Sequence, residues 1–122
     1  VTVGIDIVET KRIDKLITRY GHRFLDKVFT EEEQHYCDQS ANRVNSYAGR
    51  FASKEAIRKA LQPLTEKTYL PFLQIEILPD NFGTPVVTIE TELSVRQVYS
   101  NISLSISHEK HYAVACAIAE EK

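Results

Sequence analysis

A single carboxylate, Glu55, stands among four cations, Arg50, Lys54, Arg58 and Lys59, in the stretch GRFASKEAIRKAL. At helical spacing Glu55 and Lys59 lie one turn apart, and Arg50, Lys54 and Arg58 make an adjacent ridge. Two chemistries suit this set. As a solvated helix face, its ion pairs would each contribute only a few tenths of a kcal/mol. As a metal–phosphate site, the acid would hold a hard divalent cation and the cations would hold phosphate oxygens. The helical wheel brings Glu55 close to Phe51 and Arg58, so its side of the helix is not simply the exposed one.

A second acid, Asp6, lies in the middle of VTVGIDIV, between branched apolar residues. A strand carboxylate in that setting is partly desolvated and needs a cation, either an arginine elsewhere in the chain or a hard metal ion. The third piece is SISHEKHY, where Ser105 and Ser107 share a strand face and His108 ends the strand. A histidine there is either an exposed terminus or a phosphate contact. HEKH lacks the helical i, i+4 histidine pair of a zinc protease, and no Gly-rich phosphate loop occurs, so Gly83-Thr84-Pro85 reads as a turn before a strand.

These residues need elements to position them. Val1, Val3, Ile5 and Ile7 alternate with Thr2, Gly4, Asp6 and Val8, which predicts a first strand. Apolar residues from Lys11 to Phe29 recur at helical spacings, with Gly21 bending or breaking the helix. Thr30 with Glu33 three residues on reads as a capping box opening the next helix. The cation-rich helix runs from about Asn45 to Leu61 and stops before Pro63. Its Ala48, Ala52, Ala56 and Ala60 form a smooth ridge, and Ala113, Ala115, Ala117 and Ala119 make a matching face on the last strand. FLQIEIL and PVVTIE read as strands joined by a loop, TELSVRQVYS as a short amphipathic helix, and ISLSIS and HYAVACAIA as the final strands. The order βαααββαββ predicts one α+β domain over 1–122, with a mainly antiparallel sheet packed against a long helix.

Bulk properties narrow the function. The chain has 122 residues, enough for one core, with 43% hydrophobic and 26% charged residues. No apolar run reaches the roughly 20 residues of a membrane span. Cys37 and Cys116 show no metal-type spacing, so a cytoplasmic protein with reduced thiols is expected. The net charge is −2, yet Lys11, Arg12, Lys15, Arg19, Arg23 and Lys27 gather in one stretch against Asp14 and Asp26. A basic stripe on an acidic protein suggests docking to something acidic, and bulk nucleic-acid affinity would come with a higher pI than about 6.1.

Four of these pieces, in this order, resemble one family over nearly the whole chain: GIDIVE matches G-x-D-x-x-E, GRFASKEAIRKAL matches [RW]-[FY]-[AS]-x-K-E-A-x-x-K-A, GTPVV a G-x-P turn, and SISHEKHYAVACAI an S-[IL]-S-H-x-x-x-Y-A-x-A end. The chain looks like the bacterial holo-acyl-carrier-protein synthases, the small phosphopantetheinyl transferases of fatty acid biosynthesis. The resemblance implies their fold, a homotrimer with sites between subunits, and transfer of 4′-phosphopantetheine from coenzyme A to a serine of apo acyl carrier protein. It further implies Mg²⁺ held by Asp6 and Glu55, and coenzyme A phosphates held by Arg50, Lys59, His108 and, more loosely, Arg43. Glu55, Lys59 or a metal-bound water would take the serine proton. The stripe residues Arg12, Arg19, Arg23 and Lys27, with Leu16 and Phe24, would dock the acidic carrier protein. A pyrophosphate hydrolase and a non-catalytic carrier-binding module are the rival readings. The first needs no docking stripe, and the second needs neither acid.

Overall fold

The computed structural model describes residues 1–65, 70–90 and 98–122. Strand β1 (Thr2–Glu9) leads into α1 (Thr10–Tyr20), α2 (His22–Val28), α3 (Glu31–Asp38) and the long α4 (Arg43–Leu61), followed by β2 (Ile75–Pro79), β3 (Pro85–Ile89), β4 (Tyr99–His108) and β5 (Tyr112–Glu121). The α+β expectation holds. Antiparallel β1, β5 and β4 form one sheet in that order, and β2 and β3 form a separate two-stranded sheet.

Local sequence accounts for most boundaries. Gly21 takes φ 54° and splits the expected first helix into α1 and α2. Thr30 and Glu33 close the predicted capping box at the start of α3. Helix α4 begins two residues before the expected start, because the Asn42 side chain accepts a hydrogen bond from the Asn45 amide. Phe72–Gln74 is a 3₁₀ turn rather than the start of a strand. The helix expected over TELSVRQVYS falls mostly on 91–97, outside the described residues, and Tyr99 and Ser100 already belong to β4.

Within a larger apolar core, α4 and β5 meet along a seam of small residues. Ala48, Ala52, Ala56 and Ala60 of α4 and Ala113, Ala115, Ala117 and Ala119 of β5 are all buried. Gly4 pairs with Ala117 in β1, and a Cβ there would fall 1.9 Å from the Ala56 carbonyl oxygen and 2.7 Å from the Ala60 amide nitrogen. The helix backbone therefore rests on the strand backbone, which a glycine alone allows. The Thr2 hydroxyl adds a hydrogen bond to the Ala60 carbonyl.

The face of β1 turned toward α4 carries Gly4, Asp6 and Val8. The more branched face looks the other way: Val3, Ile5 and Ile7 are 58%, 60% and 63% exposed. Register places Ile118, Cys116 and Val114 beside them on β5, with Ser103, Ser105 and Ser107 beyond on β4. Among the described residues no helix is long and apolar enough to cross a membrane.

Candidate active site

Asp6 stands on the helix-facing side of β1, opposite Ala115, with Ile106 across the next strand pair. Its side chain is 18% exposed and meets Lys59, whose Nζ donates to Asp6 Oδ1 at 3.1 Å and to the Ile5 carbonyl at 2.9 Å. The cation expected for the strand acid is thus a lysine of α4. One turn earlier, Glu55 accepts from Arg58 Nη1 at 2.9 Å. The Arg58 guanidinium is itself anchored: Nε donates to the Leu70 carbonyl at 2.7 Å, and the group lies 3.5 Å from the centroid of the Phe72 ring.

The two carboxylates flank one stretch of the β1–α4 seam, since Lys59 follows Glu55 by a turn and touches Asp6. Both offer hard oxygen donors and neither is fully buried. Among the described residues no group of three or more acidic, histidine or cysteine side chains forms a complete protein cage. A pair of carboxylates is what Mg²⁺ uses when substrate phosphates complete its shell, so the donor set fits that ion.

A cleft of about 440 Å³ opens near the N-terminal half of α4, lined among others by Arg50, Asn45, Tyr36, His108, Gly83 and Pro85. The α4 motif, the β4 terminus and the G-T-P turn, remote in sequence, meet there. Arg50 is 8% exposed; its Nε donates to the Ile77 carbonyl at 3.2 Å, and its guanidinium lies 4.4 Å from the centre of the Tyr36 ring. His108 is exposed on the same sheet face as Asp6, in register with Ala113 and Val8. Arg50 precedes Glu55 by five residues, about 7.5 Å along the helix axis.

Two of the expected cations stand elsewhere. Arg43 does not line the cleft: its Nε lies 2.8 Å from Asp38 Oδ1, and its guanidinium sits over the Tyr47 ring. Burial alone would raise the Asp38 carboxyl, but hydrogen bonds from Arg43 and Tyr47 outweigh it and hold the group below its ordinary value. Lys54, read as part of the phosphate-facing ridge, is fully buried. Its Nζ donates to Glu33 Oε1 and the Val28 carbonyl at 2.6 Å each, and to the Phe72 carbonyl at 3.0 Å. Burial pulls its pKa below the ordinary lysine value, against the opposing pull of Glu33. Lys54 is a structural cross-link, and no phosphate reaches it.

The basic stripe remains on the surface. Arg12, Arg19, Arg23 and Lys27 are exposed, and Leu16 and Phe24 are half-buried. Two neighbouring depressions run along it, one holding Arg12 and Arg19, the other Arg23, Phe24 and Lys27, with Leu16 and Tyr20 shared. Arg19 and Arg23 lie 5.3 and 5.5 Å from the Tyr20 ring centre. Sequence reasoning missed Tyr20 as a surface anchor, Tyr36 as the platform for Arg50, and Glu33 as the partner of Lys54. Only Glu33 carried a signal, through its place in the capping box.

Comparison with known proteins bears on the fold and the family. A family model described as the 4′-phosphopantetheinyl transferase superfamily matches residues 2–117. A holo-[acyl-carrier-protein] synthase of Chlamydia trachomatis serovar D is 46% identical over 118 residues, covering 97% of this chain and 98% of that protein. The corresponding protein of Halothermothrix orenii is 40% identical over 122 residues, covering 98% and 96%. The crystal structure of Helicobacter pylori holo-[acyl-carrier-protein] synthase in complex with coenzyme A matches with a TM-score of 0.84 at 33% identity, covering 97% of this chain and 99% of that one.

Proposed function

We infer the chemistry from the family: this chain belongs to the 4′-phosphopantetheinyl transferase superfamily. It is a holo-acyl-carrier-protein synthase, which moves the 4′-phosphopantetheine arm of coenzyme A onto a serine hydroxyl of apo acyl carrier protein for fatty acid synthesis. Near-full-length identity to relatives of that activity carries the assignment.

The residues divide the work as follows. Arg50 and His108, in the cleft, bind the phosphates of the nucleotide end of coenzyme A, and the Tyr36 ring packs against the Arg50 guanidinium. Lys59 leaves Asp6 to donate to a pyrophosphate oxygen. Asp6 and Glu55 would hold Mg²⁺, which would neutralise charge building on the pyrophosphate oxygens. The serine oxygen bonds to the phosphorus carrying the pantetheine arm, the bond to the bridging oxygen breaks, and adenosine 3′,5′-bisphosphate leaves. The serine proton passes to Glu55, Lys59 or a water molecule. The carrier protein docks on Arg12, Leu16, Arg19, Arg23, Phe24 and Lys27, and Arg43 braces the start of α4.

The working form is a homotrimer. The exposed, branched face of Val3, Ile5, Ile7 and Ile118 supports this, being the apolar sheet surface that self-association would cover. Both cysteines are free thiols, in keeping with a cytoplasmic location. Incubation with coenzyme A and Mg²⁺, with and without apo carrier protein, tests the function. Modified carrier protein in the complete mixture alone is the expected result. Cleavage of coenzyme A without acceptor would mean a hydrolase, and carrier binding without turnover a binding module.

A further inference from the structure

Both acids of the site are already neutralised by cations of the chain, and the two cations differ in kind. Lys59 is 51% exposed on a flexible stem and can turn from Asp6 to an incoming anion. Arg58 is 12% exposed and held at three points: Glu55 Oε1, the Leu70 carbonyl and the Phe72 ring. It also occupies a position that the K-E-A-x-x-K-A pattern leaves open, so nothing in that pattern accounts for it.

We propose that Arg58 is a built-in counter-cation of Glu55, a positioning residue that makes divalent metal binding wait for an anionic diphosphate. Among the described residues the two acids and their two cations sum to no net charge, so a metal ion approaching the empty enzyme meets little attraction from them. It also meets repulsion from a guanidinium that cannot swing away. A diphosphate reverses this balance. It draws Lys59 off Asp6, shares the Arg58 cation with Glu55, and supplies oxygens to the metal. Metal and coenzyme A then bind with positive coupling, each tightening the other by the same factor. The inference rests on the reading of Asp6 and Glu55 as metal ligands.

Calorimetric titration of Mn²⁺ or Mg²⁺ into the enzyme, alone and with coenzyme A, tests it without turnover. Wild type should bind the metal weakly alone and more tightly with coenzyme A. Arg58→Gln and Arg58→Met should bind it about tenfold more tightly alone, with a smaller gain from coenzyme A. Arg58→Lys should restore most of the wild-type behaviour. Arg58→Met keeps aliphatic length over Phe72, so it carries the test if the glutamine variant unfolds. Metal affinity in the folded neutral variants equal to or below wild type would overturn the inference. Glu55→Gln separates the two layers. If it weakens metal binding while the neutral Arg58 variants change nothing, the counter-cation role fails and the ligand reading stands. If it changes nothing either, the ligand reading falls and takes the inference with it.

Discussion

Lys59 Nζ joins Asp6 Oδ1 at 3.1 Å across the seam between helix and first strand, so one lysine ties together the elements that supply the two site acids. The pair is half-exposed and contributes little to stability, on the order of 1 kcal/mol or less. Its value lies in alignment, and that separates effects on activity from effects on folding.

Asp6→Ala and Glu55→Ala should each lower transfer by a hundredfold or more, roughly 3 kcal/mol of transition-state stabilisation, while the melting temperature moves little. Mass spectrometry of the carrier protein at saturating coenzyme A reads the first effect and calorimetry the second. Near-wild-type turnover in either variant would remove that residue from the mechanism.

Gly4→Ala should do the reverse. The added methyl meets backbone atoms of α4, which cannot rotate aside, so strand and helix must separate. A loss of about 3 kcal/mol or more is expected, read as a shifted urea midpoint. A variant as stable as wild type would mean that the seam yields.

The buried Lys54–Glu33 pair predicts an asymmetry. Glu33→Leu leaves an ammonium among carbonyls and opens the capping box, which should cost about 3–5 kcal/mol. Lys54→Met leaves Glu33 with the Thr30 and Ile77 amides, each at 2.9 Å, and should cost less. The double variant should recover part of the Glu33→Leu loss. Urea melts of all three decide it; equal losses in the single variants would show that the amides contribute nothing.

Arg12→Glu and Arg19→Glu should weaken carrier-protein binding by about 1–3 kcal/mol and leave coenzyme A binding nearly unchanged. Tyr20→Ala should act in the same direction, by loosening the ring between Arg19 and Arg23. Titrations at low and high salt check the claim, because steering by exposed charge fades with ionic strength. Carrier affinity unchanged in all three would move the docking surface elsewhere.

Asp38 predicts an acid limb. Its folded carboxyl lies below the ordinary 3.8, so its contribution is complete above that value and is lost as pH falls through the lower folded one. Asp38→Asn should therefore be less stable than wild type at neutral pH, and the gap should narrow in acid. Parallel urea melts down to below pH 3.8 measure it, and a gap independent of pH would assign the effect to packing.

The seam was legible because both sides repeat alanine at the period of their own element, every fourth residue on α4 and every second on β5. The capping box and the Gly21 break were legible because they depend on residues a few positions apart. Lys54 was misread because a helical wheel gives an angle but not what covers it; its partner, Glu33, comes from another helix. The same limit hid Tyr36 beneath Arg50. In β1 the alternation predicted a strand without saying which face is covered; close contact with a helix selects small residues, so the branched side is left outward.

Gly4 also works as an index mark. Residues two apart in β1 point to the same side, yet of Thr2, Gly4, Asp6 and Val8 just one lacks a side chain, and α4 can settle fully at that point alone. Sliding the strand by two residues would set Asp6 or Thr2 under Ala56 and jam the helix. The position of the acid relative to Glu55 is thus keyed by a missing methyl as well as by the Lys59 contact. Substitutions at Asp6 can then silence the chemistry without letting the strand lose its place.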